Sequence, residues 1–178
     1  MLAHPNITIS LGTMLTGAFL LDASARAGTP FASHQIIYSG PIDGFFDYRF
    51  GRLPYRSAQF QFQTLNQPQH QPVGVVNYPS ENINFTRVIE FKHLTGQQHP
   101  KTTIAFEYPT ADGEPYWPVP TASSAALYRR YAALAAEVAP QVRFAGRMGT
   151  YRYLNIDQAV AQALKTITEI LEQEAQNA

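Results

Sequence analysis

Apolar and polar residues alternate along much of this chain before a helical period takes over near its C-terminus. Ile7 and Ile9 alternate with Thr8 and Ser10, which predicts a short strand over residues 6–11. Residues 35–39 predict a second strand around Ile36 and Ile37, stopped by Gly40 and Pro41. Residues 45–57 are dense in aromatic and basic side chains without a clear period, and read as loop or short helix. From Ala58 the period is two again, with Phe60 and Phe62 alternating with Gln59, Gln61 and Gln63. A loop rich in Gln, Pro, Asn and His follows over 66–71, then a strand over 73–78. The clearest alternation is 84–93. It puts Phe85, Arg87, Ile89 and Phe91 on one face, and Thr86, Val88, Glu90 and Lys92 on the other. A further strand is predicted over 101–108. Several strands joined by turns and short loops, with no helix between them, predict an antiparallel sheet.

The remainder is helical. Over 123–138, Leu127, Tyr131, Leu134 and Val138 share a stripe that Pro140 closes. Residues 142–145 form a short strand. The second helix, 155–174, carries Ile156, Val160, Ala163, Leu164, Ile167 and Leu171 on one face, and residues 173–178 read as frayed. The fold class is α+β.

Composition narrows the chemistry. The 178 residues suffice for one domain with a sizeable core. Ten Tyr and eleven Phe suit either a sheet-rich core or a site that stacks flat rings. Thirteen basic and thirteen acidic residues cancel, which argues against nucleic acid and against an anionic membrane surface. Within that neutral background Arg49, Arg52 and Arg56 cluster, which suits a small anionic ligand. The absence of cysteine excludes disulfides and thiolate metal sites. His4, His34, His70, His93 and His99 lack metal-ligand spacing, so no metal is expected. Residues 9–21 are mildly apolar and 23–27 look like a signal cleavage site. No positive charge precedes them, however, and Gly12, Thr13, Thr16 and Gly17 dilute the run, so a cytoplasmic protein is expected.

Two features invite a chemical reading. Arg87 sits in mid-strand beside apolar neighbours, and a guanidinium there needs a partner. It pairs with a carboxylate such as Glu107, reaches solvent at a sheet edge, or meets an anionic ligand in a cavity. The second feature is the run from Gly146 to Asn155, between a short strand and a long helix. Unpaired N–H groups at a helix start, with glycines that allow close approach, make an anion site; the plainer alternative is a surface turn and a helix capped by Asn155. Asp43, Asp47, Glu90, Glu107 and Asp157 are candidate acid–base groups. No dinucleotide-binding glycine fingerprint, P-loop, zinc-protease or nucleophile-elbow motif is present.

Several segments in order carry a resemblance to a known family. They are residues 39–48 and 51–57, Val76-Asn77-Tyr78, Phe85-Thr86-Arg87-Val88-Ile89-Glu90, Phe106-Glu107-Tyr108-Pro109, Pro115-Tyr116-Trp117-Pro118 and residues 146–160. Together they resemble the UDP-galactopyranose mutase family, over about residues 1–170. An amine-oxidase-type flavoenzyme would share the closing strand–loop–helix but lack the Phe85-Thr86-Arg87 strand beside Val76-Asn77-Tyr78. The resemblance implies an antiparallel sheet domain plus the last strand, loop and helix of a Rossmann-like FAD domain, whose N-terminal fingerprint is missing. Its implied divisions are a remnant of the FAD domain over 1–35, the substrate sheet over 36–120 and the closing helices over 121–178.

The implied reaction interconverts UDP-galactopyranose and UDP-galactofuranose. Reduced FAD acts as a nucleophile at the anomeric carbon, UDP leaves and returns, and there is no net redox change. The resemblance implies Arg87 and Glu107 as catalytic residues. It implies Asn77, Arg87, Tyr116, Trp117, Tyr153 and Asn155 against UDP-galactose, and Gly146, Arg147, Asn155 and Ile156 against FAD. Trp117 stands where the family usually has Tyr, so an indole N–H replaces a phenol, and Asn155 stands where many members have Asp. Without the fingerprint the chain is expected to lack bound FAD, leaving a non-catalytic fragment or a UDP-sugar-binding module as the alternative. The stripe on the last helix is then expected to fold back onto the sheet or to meet a second copy, unless a missing N-terminal part covers it.

Overall fold

The structure is a computed structural model that describes residues 2–32 and 35–177; His34 lies outside them. In chain order the elements are α1 (Gly17–Leu21), α2 (Ala23–Arg26), β1 (Ile36–Tyr38), α3 (Ile42–Phe45), β2 (Tyr55–Leu65), β3 (Val75–Asn77) and β4 (Arg87–Glu90). There follow α4 (Phe91–Thr95), β5 (Thr102–Thr110), β6 (Trp117–Pro118), α5 (Ala122–Val138), β7 (Val142–Phe144), α6 (Gly146–Gly149) and α7 (Ile156–Asn177). The chain divides into two units, Pro54–Ser124 and the residues flanking that segment. Among the described residues no helix is long and apolar enough to cross a membrane, and no cluster of potential metal ligands occurs.

The unit of Pro54–Ser124 is an antiparallel sheet in the order β3-β4-β5-β2-β6. The predicted alternation of β4 places its faces differently from what polarity suggested. Val88 and Glu90 point into the core, while Arg87 and Ile89 are half-buried on the other face. Glu90 misleads the pattern because it is charged yet has no exposed surface. Its carboxylate accepts from the Thr102 hydroxyl at 2.6 Å and from the backbone N–H groups of His70 and Gln71, each at 2.9 Å. His93 Nε2 lies 3.4 Å away. Burial alone would raise the Glu90 carboxyl; these donors and His93 outweigh it and hold the group below the usual carboxylate value.

Two predicted strands are corrected. Residues 84–93 are not one strand: β4 ends at Glu90 and α4 follows, closed by Gly96 in the left-handed region at φ 69°. Phe85 does not share the Arg87 face either, because it packs edge-on against Phe106 and Tyr108, which alternate with Glu107. Residues 6–11 form no strand and leave Ile7, Ile9 and Leu11 exposed. A strand needs a ladder partner, and none pairs with them among the described residues.

In the flanking unit β1 and β7 pair in parallel, Ile36 opposite Val142 and Tyr38 opposite Phe144. Leu20, Phe45, Ala139 and Val142 form the core, ringed by Phe19, Tyr38, Phe46 and Phe144. Gly17 is required there, since a Cβ would lie 1.8 Å from the Phe45 carbonyl oxygen. The segment 45–57 resolves into the end of α3, a turn with Asp47, Tyr48 and Gly51 at positive φ, and the start of β2. That turn is held from both sides. Asp43 Oδ2 accepts from Leu53 N–H at 2.9 Å, and the buried Tyr131 hydroxyl accepts from Phe50 N–H at 3.0 Å and donates to the Gly51 carbonyl at 2.7 Å.

The last helix runs to Asn177, past the predicted fraying point. It does not fold its apolar stripe back. Ile156, Val160, Leu164, Ile167 and Leu171 are exposed, whereas Ile170 on another face is buried. The glutamines of the opposite face anchor it: Gln162 Oε1 accepts from Gly146 N–H at 2.7 Å, and Gln173 Oε1 accepts from Arg143 Nη2.

Two predictions follow from the buried polar groups. Tyr131→Phe strips a partner from both Phe50 N–H and Gly51 C=O and is expected to cost about 1–3 kcal/mol in chemical denaturation; an unchanged midpoint would contradict the clamp. Glu90→Gln should lower stability by about 2–3 kcal/mol at neutral pH. Because the folded carboxyl lies below its unfolded value, its stabilisation is full above the ordinary Glu value and is lost as pH falls through the folded one. The gap between wild type and Glu90→Gln should therefore shrink on acidification, as thermal melts across that range would show.

Candidate functional site

The antiparallel register decides which side chains meet. Asn77 on β3 lies opposite Arg87 on β4, and Arg87 lies opposite Glu107 on β5. Glu107 in turn lies opposite Phe60 on β2. Directly paired residues project to the same face of a sheet. Asn77, Arg87, Glu107 and Phe60 thus form one row across four adjacent strands. Nine or more residues of chain separate each neighbour from the next, so only strand pairing assembles them.

Of the three readings of Arg87, the structure contains the pairing with Glu107. Arg87 Nε stands 3.2 Å from Glu107 Oε1, with side chains 41% and 10% exposed. The N–H is not aligned for a hydrogen bond, so this is a charge contact. A partly solvated pair of this kind is worth no more than about 1 kcal/mol. An anion offering two acceptor oxygens competes readily with a single oblique carboxylate. Glu107 is fixed independently of Arg87: its Oε1 accepts from the Thr86 hydroxyl at 3.1 Å, and its carbonyl accepts from Thr86 N–H at 2.8 Å. Thr86 was missed as a positioning residue. Its signal in the sequence was a hydroxyl immediately before a strand arginine.

Tyr116 and Trp117 lie at the other end of the same sheet order. Trp117 opens β6 opposite Arg56 on β2, and Arg56, two alternations from Phe60, shares the face of the row. Tyr116 N–H donates to the Arg56 carbonyl at 2.9 Å, and its ring meets Trp117 edge-on at 5.6 Å.

Gly146, Arg147, Tyr153, Asn155 and Ile156 belong to the flanking unit. The predicted open glycine loop is partly closed, because α6 occupies residues 146–149 and Gly146 N–H is taken by Gln162. Gly146 has φ 73°, which favours glycine. Arg147 Nε donates to the Leu154 carbonyl at 2.6 Å, and its guanidinium sits 5.2 Å from the centre of the exposed Tyr153 ring. Asn155 precedes α7, but Gln158 does the capping, its Oε1 accepting from Asn155 N–H at 2.9 Å. Ile156 is exposed at the start of α7. A fixed cation, an exposed aromatic face and a long helix's N-terminus fit an anionic ligand carrying a flat ring.

Among the other candidate acids, Asp43 supports the 47–53 turn, Glu90 is absorbed in the core network, and Asp157 lies in the first turn of α7. Glu107 alone among these joins the row.

A profile of UDP-galactopyranose mutase matches residues 1–153. The chain is 39% identical over 141 residues to a probable UDP-galactopyranose mutase of Klebsiella pneumoniae, covering 77% of this chain and 36% of that protein. It is 37% identical over 146 residues to the UDP-galactopyranose mutase of Mycoplasma pneumoniae, with the same two coverages. It is 32% identical over 171 residues to a dTDP-fucopyranose mutase of Escherichia coli, covering 93% of this chain and 44% of the relative. The chain thus spans well under half the length of these relatives. With ordered motifs, a matched profile over most of its length and relatives of this name, the chain belongs to the UDP-galactopyranose mutase family.

Proposed function

We propose that this chain is the C-terminal portion of a mutase that interconverts the pyranose and furanose forms of UDP-galactose in the cytoplasm. The cross-strand row of Asn77, Arg87 and Glu107 carries this reading. Arg87 receives the substrate diphosphate. Its contact with Glu107 runs through Nε and is weak, and a planar fork matches two phosphate oxygens. Asn77 donates beside it to sugar or phosphate. Glu107, held by Thr86, stands one strand further on, at the sugar. Trp117, opposite Arg56, extends the same face toward the phosphates, with the Tyr116 ring edge-on against it. The relatives named for a UDP sugar and for a dTDP sugar differ in base and sugar but share the diphosphate, which is the group an arginine fork recognises.

When bound, reduced FAD would supply the nucleophile in this chemistry. Arg147, Tyr153, Asn155 and Ile156 are the residues of this chain that would contact it or the substrate phosphate. The parallel pair β1 and β7 leading into α7 supports reading the flanking unit as part of a Rossmann-like FAD domain. Gly146, which the resemblance implies against FAD, has its N–H occupied by Gln162. This supports the second reading, in which the chain alone binds UDP-sugar without retaining flavin. Purification followed by dialysis tests it: the visible flavin band should be absent, and a stoichiometric band would refute it.

Titration calorimetry with UDP tests the diphosphate site. Arg87→Ala should weaken binding tenfold or more, and Arg87→Lys should recover little because a point charge cannot replace the fork. Glu107→Gln should tighten UDP severalfold by releasing the guanidinium from its competing carboxylate. Equal affinity for UDP in the wild type and Arg87→Ala would remove Arg87 from the site.

A further inference from the structure

The sheet face that carries Asn77, Arg87 and Glu107 continues past them to a second polar site. Thr64 on β2 lies opposite Thr103 on β5. Each is four residues along its strand from Phe60 or Glu107, so both share that face, roughly 13 Å from the row. There the two threonines, Phe91, Lys92, His99 and Lys101 line a cleft of about 310 Å³. Its walls are held in place by the protein itself. Lys92 Nζ donates to the Pro68 carbonyl at 2.9 Å and to the His99 carbonyl, which ties two loops to α4. His99 Nδ1 accepts from Lys101 N–H at 3.0 Å. Thr64 Oγ1 and Thr103 Oγ1 share a hydrogen bond of 3.0 Å, and Phe62 stacks on Phe91 with ring centres 6.1 Å apart.

We propose that this cleft binds a small phosphate monoester, its phosphate on Lys92, Lys101 and the threonine pair and its organic part against Phe91. Donors are in surplus here. An ammonium has three N–H groups, and Lys92 uses two of them on carbonyls. One hydrogen suffices between two hydroxyls, so the threonine pair has a second to donate. Lys101 is exposed and enters no ion pair among the described residues. No carboxylate lines the cleft. Glu90, two residues before Lys92, is buried, and its oxygens are taken by Thr102, His70 and Gln71. Two ammonium groups without a carboxylate match the charge of a phosphate monoester, about −1.5 to −2 at neutral pH. Volume narrows the choice further. Small-molecule sites span roughly 300–1,000 Å³, and this cleft lies at the lower end. It exceeds what a bare phosphate fills and is too small for a nucleotide sugar. The cleft shares no residue with the Asn77, Arg87 and Glu107 row, so the proposal is independent of the nucleotide reading.

Titration of the isotope-labelled full chain with phenyl phosphate, followed by amide chemical shifts in a phosphate-free buffer, tests it. The expected result is saturable shifts at the amides of Thr64, His99, Lys101 and Thr103, undiminished in Arg87→Ala. Lys101→Ala should weaken binding about tenfold by removing one charged donor. Thr103→Val, which keeps the strand's shape, should weaken it severalfold, so that the test survives misfolding of either variant. Inorganic phosphate should bind severalfold more weakly than the ester, and phenol should leave these amides unmoved. Shifts centred on Arg87 and lost in Arg87→Ala would assign the phosphate to the diphosphate row and overturn the proposal. Shifts that never saturate, or that are indifferent to both cleft variants, would show an adventitious ion only and overturn it too. Inorganic phosphate binding as tightly as the ester, or phenol moving the same amides, would overturn the assigned ligand class.

Discussion

A carboxylate sealed from water must find its hydrogen bonds within the protein, and Glu90 imposes that constraint on the sheet. Its oxygens gather the hydroxyl of Thr102 on β5 and two amides of the 70–71 loop. With Glu90 fixed opposite Ile104, Arg87 is fixed opposite Glu107. A slip of one residue would send every β4 side chain to the other face. It would bury a guanidinium where Val88 now sits and carry Glu90 away from its donors. The functional row therefore inherits its register from a buried charge that never touches it.

The row itself shows how little direct attraction a binding site needs before its ligand arrives. Arg87 rests against Glu107 at a distance that keeps its charge balanced but at an angle that leaves the contact weak. Glu107 does not depend on that contact, because Thr86 holds it from both side chain and backbone. One partner is thus held by hydrogen bonds and the other by a charge contact. Such a pair preorganises the site with little penalty when the arginine turns to a phosphate.

The sheet was legible in the sequence wherever apolar and polar residues alternate, as in the strands containing Phe60, Val76 and Phe106, although Phe60 and Phe62 themselves stay exposed. It was illegible where a charge is buried. Glu90 reads as a solvent-facing residue in any count of polarity, and only its three-dimensional donors reverse that reading. Phe91 continued the alternation on paper, but the left-handed Gly96 allows a turn of helix to close there instead. Ile7 and Ile9 carried a valid strand pattern with no strand to pair with. For the site, the motifs supplied Asn77, Arg87 and Glu107 as separate residues, and cross-strand register, which no linear spacing encodes, made them neighbours. The glycine run at 146–149 promised open amides, but Gln162 lies sixteen residues away in the chain and takes one of them.

The edges of the five-stranded sheet have a consequence for how the protein behaves in a crowded solution. Its outer strands are three residues long at β3 and two at β6. At β3 the edge is too short to template the addition of a foreign strand. At the other side β6 covers only Tyr55 and Arg56 of the eleven-residue β2, so from Ser57 onward one edge of β2 has no ladder partner among the described residues. A strand added from outside would therefore dock along β2, where Gln59, Phe60, Gln61, Phe62 and Gln63 are exposed.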